Sequence, residues 1–211
     1  KADSVAVITS NDVMPTNADG TLRFRQNSDL FYLTGILQEE TILLLYPGSK
    51  EESDREILFI RDYNSDLEVW EGKKLSPSEA GEISGIDTIM ELSKFEKVLH
   101  DIICKVDNVY VNLNEHDRAD NIVEGREMRF IKKIREKYPL HKYHRLAHLI
   151  YGLRVIKSSA EIELIKKSCA LSDSGFRRVL KFLKPGIYEY EVEAELSHEF
   201  ISKGCSFADY E

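Results

Sequence analysis

The chain has 211 residues, a formal net charge of −8 and a hydrophobic fraction of 42%. This length allows one large domain or one domain followed by part of another, and the apolar content is enough for a packed core. The acidic balance argues against a nucleic-acid or anionic-membrane partner, because no basic excess exists to displace counterions.

No apolar run in the sequence approaches the length of a transmembrane helix, and no signal-peptide pattern opens the chain. We therefore expect no membrane partner and a cytoplasmic location. The three cysteines, Cys104, Cys169 and Cys205, are widely spaced. Their odd number and their spacing predict reduced, buried thiols rather than a disulfide framework or a zinc site.

The first three quarters of the sequence predict strands that alternate with helices. Ser4–Ile8 is predicted as a strand, and 11–20 as a polar loop. The elements predicted beyond them are the hairpin strands Thr41–Tyr46 and Glu56–Ile60, a helix capped by Ser76, a helix over Lys94–Cys104, a strand over Asn108–Leu113 and a helix over Arg118–Lys137. This alternation predicts an α/β domain of about 150 residues.

The rest of the sequence predicts two amphipathic helices after a boundary near Ile150–Ser158. Ser158 begins a capping-box pattern, and apolar residues then recur at three- and four-residue spacing over Ser159–Leu183. We expect this helix and the next one to fold back on each other or on the preceding domain, and the apolar surface that remains to drive self-association. The further elements predicted here are a second helix over Glu189–Lys203 and the beginning of a strand over Cys205–Tyr210.

The segment Leu22–Gly35 carries the most informative local pattern in the sequence. Arginines, amides and an aspartate come directly before the large apolar triplet 31–33. This order predicts a short buried helix whose polar entrance is held by side-chain hydrogen bonds. Asn27 or Ser28 is the expected N-cap, and Gly35 is expected to end the helix in a left-handed turn.

Four segments resemble, in the correct order, signatures of the aminopeptidase P (Xaa-Pro aminopeptidase) family of the creatinase/aminopeptidase pita-bread superfamily. They are Leu22–Gly35 (LRFRQNSDLFYLTG), Glu39–Gly48 (EETILLLYPG), Leu67–Leu75 (LEVWEGKKL) and Leu153–Glu163 (LRVIKSSAEIE). The resemblance implies an α/β fold in two parts. Residues 1–155 would form a creatinase-type N-terminal domain with a mixed sheet and flanking helices, and 156–211 the first two helices of a truncated pita-bread metallopeptidase domain.

The resemblance also implies an activity for the whole enzyme, which would remove an N-terminal residue that precedes proline in a peptide substrate. Two bridging divalent ions, usually Mn²⁺, would generate a hydroxide nucleophile. The family's metal ligands are two Asp, one His and two Glu, and we expect them further along than Glu211. We therefore expect no catalytic residue, no metal ligand and no bound metal in this chain, which would contribute cleft wall and homo-oligomer contacts and be inactive alone.

Trp70 and Asp19 are the candidate substrate-cleft residues. In relatives the Trp that matches Trp70 lies on a loop that reaches a neighbouring subunit's cleft, and Asp19 matches an acidic residue that approaches the same cleft. The alternative for Trp70 is a half-buried aromatic at a strand end with its N–H partnered. The alternative for Asp19 is a chance match in a short polar loop.

Arg154 and Lys157 resemble the inter-domain Arg and Lys of the family. Their expected role is structural, because they could pair with carboxylates across the domain seam. Partly buried pairs of this kind would fix the orientation of the domains more than they would add stability.

Two further groups of polar residues suggest metal sites less strongly. His141, His144 and His148 would share one face of a helix, but Pro139 precedes them and no carboxylate lies at a matching spacing. The glutamates within 189–199 spread around their helix, which favours a solvated face. We therefore expect ordinary hydrogen bonding and solvation at both places.

Two alternative functions remain open at this stage. A prolidase (Xaa-Pro dipeptidase) relative would cut only dipeptides, and the residues scarcely distinguish it from an aminopeptidase P. A non-catalytic creatinase-type binding module, as in the large subunit of the FACT histone chaperone, belongs to a different class. The FRQNSD and EVWEG matches favour the peptidase.

Overall fold

A computed structural model describes residues 3–62, 69–116, 118 and 122–205. The chain divides into two compact units, Lys1–Gly152 and Leu153–Glu211. The domain limits implied by the resemblance, at 155 and 156, stay a prediction. No helix in the described ranges is both long and apolar enough to cross a bilayer.

Six β-strands form one mixed sheet in the first unit. They are β1 (Ser4–Thr9), β2 (Ile42–Leu45), β3 (Glu56–Ile60), β4 (Thr88–Glu91), β5 (Asn108–Val111) and β6 (Lys142–Arg145). Their order across the sheet is β4-β3-β2-β1-β5-β6. Strand β2 is antiparallel to β1 and β3, whereas the other neighbouring pairs are parallel. All strands except β2 therefore end at the same edge of the sheet, which we call the carboxyl edge.

Helices flank the sheet in the first unit and make up most of the second. They are α1 (Ser28–Thr34), α2 (Pro77–Ser84), α3 (Phe95–Ile103), α4 (Arg126–Lys137), α5 (Ala147–Val155), α6 (Ser159–Phe182) and α7 (Glu189–Ser202). Short 3₁₀ turns span Glu52–Asp54 and Leu92–Lys94. Residues 69–71 are also helical.

The sheet buries apolar side chains on both of its faces. Successive strand residues point to opposite faces, so Leu43 and Leu44 of β2 belong to different clusters, as do Leu58 and Phe59 of β3. One cluster packs against α3 and α4, and the other against α1, α2 and α5. The result is an α/β arrangement of helices on both sides of a mixed sheet, as predicted.

Most predicted elements are present, and the clearest differences lie at element ends. Helix α4 begins at Arg126 rather than at Arg118, because Gly125 is extended (φ −72°, ψ 169°) and residues 122–124 are not helical. Strand β5 ends at Val111, before the predicted Leu113. Cys205 has no regular structure, and the rest of the strand predicted at 206–210 lies outside the described residues.

Helix α1 has the ends that the sequence predicts. Asn27 Oδ1 accepts hydrogen bonds from the backbone N–H groups of Asp29 and Leu30, at 3.0 and 3.2 Å, so Asn27 rather than Ser28 is the N-cap. Gly35 ends the helix with a φ of 68°, a left-handed conformation that glycine adopts without steric cost.

The predicted burial of the apolar triplet 31–33 is wrong for two of its three members. Phe31 is 44% exposed and Tyr32 is 36% exposed. The buried side of this short helix is formed instead by Leu30 and Thr34, four residues apart and therefore on one helical face.

The predicted burial of the cysteines is also wrong, although all three are free. Cys104 and Cys169 are exposed, and Cys205 is partly exposed. Cys104 directly follows the last turn of α3, and Cys169 lies on α6, where Gly175 is the one buried residue.

A network of amides and carboxylates joins α1 to the start of α4. Asn27 Nδ2 donates to Glu127 Oε1 at 2.7 Å. Asn112, which follows β5, donates to Asp29 Oδ2 at 3.0 Å and to Glu127 Oε1 at 3.3 Å. Burial raises the pKa of Glu127, and the charge of Asp29 adds to this effect, whereas the hydrogen bonds oppose it without cancelling it.

Replacing Glu127 with Gln should change how stability depends on pH. The folded-state pKa of Glu127 lies above its unfolded value, so the stability tied to its neutral form is fully present below the unfolded pKa and is lost as pH rises through the folded pKa. The wild type should therefore lose stability relative to Glu127→Gln from about pH 4 upward.

Urea unfolding of both proteins across a pH series measures this difference. Glu136→Gln provides the control, because Glu136 is an exposed residue of the same helix. A wild type that gains stability relative to Glu127→Gln over the same window would contradict the assignment of a buried carboxyl with a raised pKa.

In the second unit α6 and α7 form a helical hairpin, and α7 packs closely against Gly175 of α6. A Cβ atom at Gly175 of α6 would lie 2.8 Å from Phe200 Cε1 and 3.1 Å from Leu196 Cδ2, both on α7. Arg178 of α6 also binds Glu195 of α7 at 2.5 Å. The expectation that the two helices fold back on each other is therefore confirmed.

Gly175→Ala should destabilise this hairpin by about 1 kcal/mol. An added methyl group has no room against the buried Phe200 ring, and overpacking costs about 1–3 kcal/mol, partly offset by the higher helix propensity of alanine. Hydrogen exchange of the α7 amides measures the effect.

Gly152→Ala is the matched control, because a Cβ at Gly152 of α5 would meet nothing within 4 Å. This substitution should leave the exchange of the α7 amides unchanged. Equal or stronger protection of α7 in Gly175→Ala would show that the hairpin does not depend on close approach at this glycine.

Candidate functional site

The carboxyl edge of the sheet gathers the polar segments of the first unit. Among the described residues, 10–27, 61–62 with 69–76, and 112–116 with 122–125 follow β1, β3 and β5, and 36–41 leads into β2. In open α/β sheets, ligands bind in the crevice beyond the carboxyl ends of the strands. Two of these segments carry the residues that the sequence predicts for a substrate cleft, Asp19 and Trp70.

Trp70 projects into solvent. Trp70 is 85% exposed, and the preceding Val69 is 84% exposed. Both lie in the helical stretch 69–71 rather than at the end of a strand. The alternative of a half-buried aromatic at a strand end is therefore wrong.

The residues that follow Trp70 are tied to the edge of the sheet. Glu71 forms an ion pair with Arg61, which follows β3. Gly72 then turns the chain with a φ of 75°, in the left-handed region that favours glycine. Lys74 Nζ binds Glu39 Oε1 at 2.6 Å. The exposed tryptophan is thus carried by a segment with several partners.

A second contact system holds the end of this segment. Ser76 caps α2, and the Glu79 side chain accepts from the Ser76 backbone N–H at 2.9 Å. Glu79 also binds Lys73 at 2.5 Å. Hydrogen bonds from Lys73 and from Ser76 lower the pKa of Glu79 to about 2, so this carboxylate stays charged down to low pH.

Glu39 lies at the centre of the ion pairs that hold the residues after Trp70. Besides Lys74 it binds Arg61, whose Nη1 lies 3.3 Å from Glu39 Oε1, and Arg61 Nε also lies 3.4 Å from Glu40 Oε2. Burial acts to raise the pKa of Glu39. The hydrogen bond from Lys74, a backbone hydrogen bond and the charges of Lys74 and Arg61 outweigh burial and lower it.

Gln26 and Gln38 connect this network to the segment before α1. The backbone N–H of Leu75 donates to Gln38 Oε1 at 2.7 Å. Gln26 Nε2 in turn donates to the carbonyl oxygens of Gln38 and Ile36, at 2.8 and 3.2 Å. The hydrogen bonds predicted at the polar entrance of α1 therefore extend to the backbone that supports Trp70.

Asp19 lies on an exposed turn that follows β1. The turn is closed by a hydrogen bond from the Thr16 N–H to the Gly20 carbonyl, at 2.8 Å, and Ala18 adopts a φ of 52°. Asp19 and Trp70 thus occupy separate segments of one edge, after strands that are separated by β2.

Arg154 and Lys157 lie at the end of α5 and just beyond it. Lys157 Nζ donates to the carbonyl oxygen of Arg154, and it lies 3.4 Å from that of Val155. A cation at these carbonyls stabilises the C-terminus of the helix. The pairing of Arg154 and Lys157 with carboxylates across a domain seam stays a prediction.

The three histidines do not share a helical face. His144 lies on β6 and its Nε2 is 2.8 Å from Asn108 Oδ1, whereas His141 Nε2 is 2.8 Å from the Ile103 carbonyl oxygen. His148 lies on α5. Among the described residues no three His, Cys, Asp or Glu side chains are placed to hold a metal ion. This part of the chain therefore does not fit a dinuclear metal centre.

Sequence patterns do not reveal the roles of Glu39 and Arg61. The two residues are 22 positions apart, and Glu39 and Lys74 are 35 apart. Neither separation has a helical or strand period. One sequence feature could have indicated these ion pairs. Two adjacent glutamates lie just before a buried strand, and carboxylates in such a position need nearby cations.

The comparisons with known proteins agree with this architecture. The sequence profile of the family "Aminopeptidase P, N-terminal domain" matches residues 1–110, and that of "Metallopeptidase family M24" matches residues 163–211. The Xaa-Pro aminopeptidase of Escherichia coli is 28% identical over 209 residues, covering 98% of this chain and 47% of the relative. Human Xaa-Pro aminopeptidase 3 is 25% identical over 99% of this chain and 41% of its own length.

Solved structures show the same relationship. A provisional aminopeptidase P from Bacillus anthracis superposes with a TM-score of 0.85 at 32% identity, covering 96% of this chain and 48% of that one. Aminopeptidase PepP of Pseudomonas aeruginosa superposes with a TM-score of 0.81 at 27% identity, covering 98% and 46%. The chain spans about half the length of these relatives. Because a family profile matches more than half of its residues, the chain belongs to the aminopeptidase P family.

Proposed function

We propose that the chain is the N-terminal part of a Xaa-Pro aminopeptidase, an enzyme that removes the residue preceding proline from the N-terminus of a peptide. Relatives from Escherichia coli, Haemophilus influenzae and human are named Xaa-Pro aminopeptidases, which favours this activity over that of a prolidase or of a non-catalytic binding module. In this proposal residues 1–155 form the N-terminal domain, and 156–211 begin the metallopeptidase domain.

The observation that carries a substrate role for this part is the exposed Trp70 on its ion-paired support. A tryptophan left 85% exposed gains little from folding of the described residues. The contacts of Glu71, Lys73 and Lys74 hold the backbone beneath it, so binding a ligand would cost little further ordering. We assign Trp70 to the wall of a peptide-binding cleft.

Asp19 adds an exposed carboxylate at the same edge of the sheet. In the proposed enzyme both residues reach the cleft of a neighbouring subunit, which requires a homo-oligomer. Arg154 and Lys157 act at the junction of the two domains and take no part in the chemistry.

The chemical step belongs to residues outside this chain. In the proposed enzyme residues outside this chain would hold a divalent metal centre, expected to be Mn²⁺, which would supply water activation and Lewis acidity. The described residues offer no ligand set for such a centre. What this chain does is bind and orient the peptide beyond the scissile bond.

Trp70→Ala in the whole enzyme should weaken the binding of longer peptides more than that of Xaa-Pro dipeptides. One aromatic contact is worth about 0.5–1.5 kcal/mol beyond area burial, which corresponds to about a twofold to tenfold rise in KM. Steady-state kinetics on a series of peptides of increasing length measures the change.

Val69→Ala is the matched control, because Val69 is equally exposed and directly precedes Trp70. It should leave the dependence of KM on peptide length unchanged. A KM for Trp70→Ala that equals that of the wild type at every peptide length would remove Trp70 from the cleft.

The 211-residue chain alone should not hydrolyse Xaa-Pro peptides, with or without added Mn²⁺. The reason is that the described residues provide no metal-ligand set. Turnover above the blank that depends on the metal and is repeated in a second preparation would show that the chain contains a catalytic centre.

A further inference from the structure

We propose that Glu39 is a positioning residue for the segment 69–76, which carries Trp70. Together with Arg61, Glu39 fixes this segment and so sets selectivity for peptides longer than dipeptides. This inference rests on the proposed function of Trp70. It goes further because it identifies what holds the tryptophan in place.

The contacts form a chain of two acids and two bases, which the backbone of 71–74 closes into a ring. Glu39 binds Lys74 at 2.6 Å and Arg61 at 3.3 Å, and Arg61 binds Glu71. Glu71 and Lys74 lie on either side of the turn at Gly72, so the ring holds the segment on both sides of that turn. Arg61 belongs to the carboxyl edge of the sheet, and the ring therefore connects the segment to the rigid core.

The side chains of the ring are partly shielded from solvent, so their ion pairs contribute to holding the segment. The side chains of Glu39, Lys74 and Arg61 are 16%, 22% and 24% exposed. Ion pairs at this depth are screened less than surface pairs. Neutralising Glu39 would leave two partly buried cations with fewer partners, which is more costly than removing a surface pair.

The backbone around Glu39 is shaped for this role. Glu40 adopts a φ of 55°, a left-handed conformation that is sterically unfavourable for a non-glycine residue. This turn lets two adjacent glutamates face the same Arg61. Glu40 is the weaker partner, because its side chain is 45% exposed whereas that of Glu39 is 16% exposed.

The side chain of Trp70 is not held by burial, so its direction follows from the backbone of 69–71. Glu71 is the residue of that stretch with an ion-pair partner in the ring. Because Trp70 is the single tryptophan of the sequence, its fluorescence reports on this segment alone.

The test measures the time-resolved fluorescence anisotropy of Trp70 in the 211-residue chain, where it is the single tryptophan. Glu39→Gln should increase the amplitude of nanosecond depolarisation about twofold, because nanosecond motion is the timescale of a released loop. Glu39→Asp, which keeps the charge, should restore part of the wild-type value.

Glu96→Gln is the control for charge removal. Glu96 also forms an ion pair, with Lys133 at 2.7 Å, on helices away from Trp70. It should leave the anisotropy decay unchanged. A Glu39→Gln protein that folds, as shown by circular dichroism, and has the anisotropy decay of the wild type would overturn the inference.

Kinetics of the whole enzyme separate this inference from the proposed function. Glu39→Gln should raise KM for longer peptides about threefold and leave kcat and the KM for dipeptides unchanged. If Trp70→Ala alters the length dependence and Glu39→Gln does not, positioning by Glu39 is refuted. If both variants leave it unchanged while Glu39→Gln mobilises Trp70, the cleft role of Trp70 fails and the structural link stands.

Discussion

Burial of both faces of the central strands is the constraint on which the first unit depends. Strands β1, β2 and β3 send apolar side chains alternately into two separate clusters, and helices cover each cluster. Such a sheet has no polar face to offer to a ligand. Polar groups are therefore confined to the ends of the strands, and in this chain they gather at the carboxyl edge.

The polar groups at that edge satisfy one another over long sequence distances. Asn27 both caps α1 and donates to Glu127, 100 residues further along. Gln26 binds the backbone of Gln38, whose side chain accepts from Leu75. One short segment before α1 thereby anchors two other loops. This explains in physical terms why so many polar residues precede a helix of only seven residues.

Local features of the fold could be predicted from the sequence, whereas features that depend on distant contacts could not. The N-cap at Asn27, the left-handed Gly35 and the capping box at Ser158 depend on a few neighbouring residues, and all three are present. The exposure of Phe31 and the ion pairs of Glu39 depend on what packs nearby. No periodicity in one segment encodes such neighbours, so the support beneath Trp70 emerges only from the structure.

The same distinction applies to the candidate site. Trp70 and Asp19 were identified by resemblance, and the structure adds that both are exposed and lie at one edge of the sheet. His144 lies on a strand and hydrogen-bonds Asn108, which agrees with the ordinary hydrogen bonding expected for the histidines. The role of Trp70 and Asp19 in a substrate cleft stays a proposal.

The glycine contact between α6 and α7 has a consequence for cooperativity. Gly175 is the one buried residue of α6, and Phe200 is the one buried residue of α7. Two helices with so little buried apolar surface between them lack the extensive burial that makes unfolding cooperative. The hairpin should therefore behave as a foldon of low free energy, opening many times for each global unfolding of the sheet.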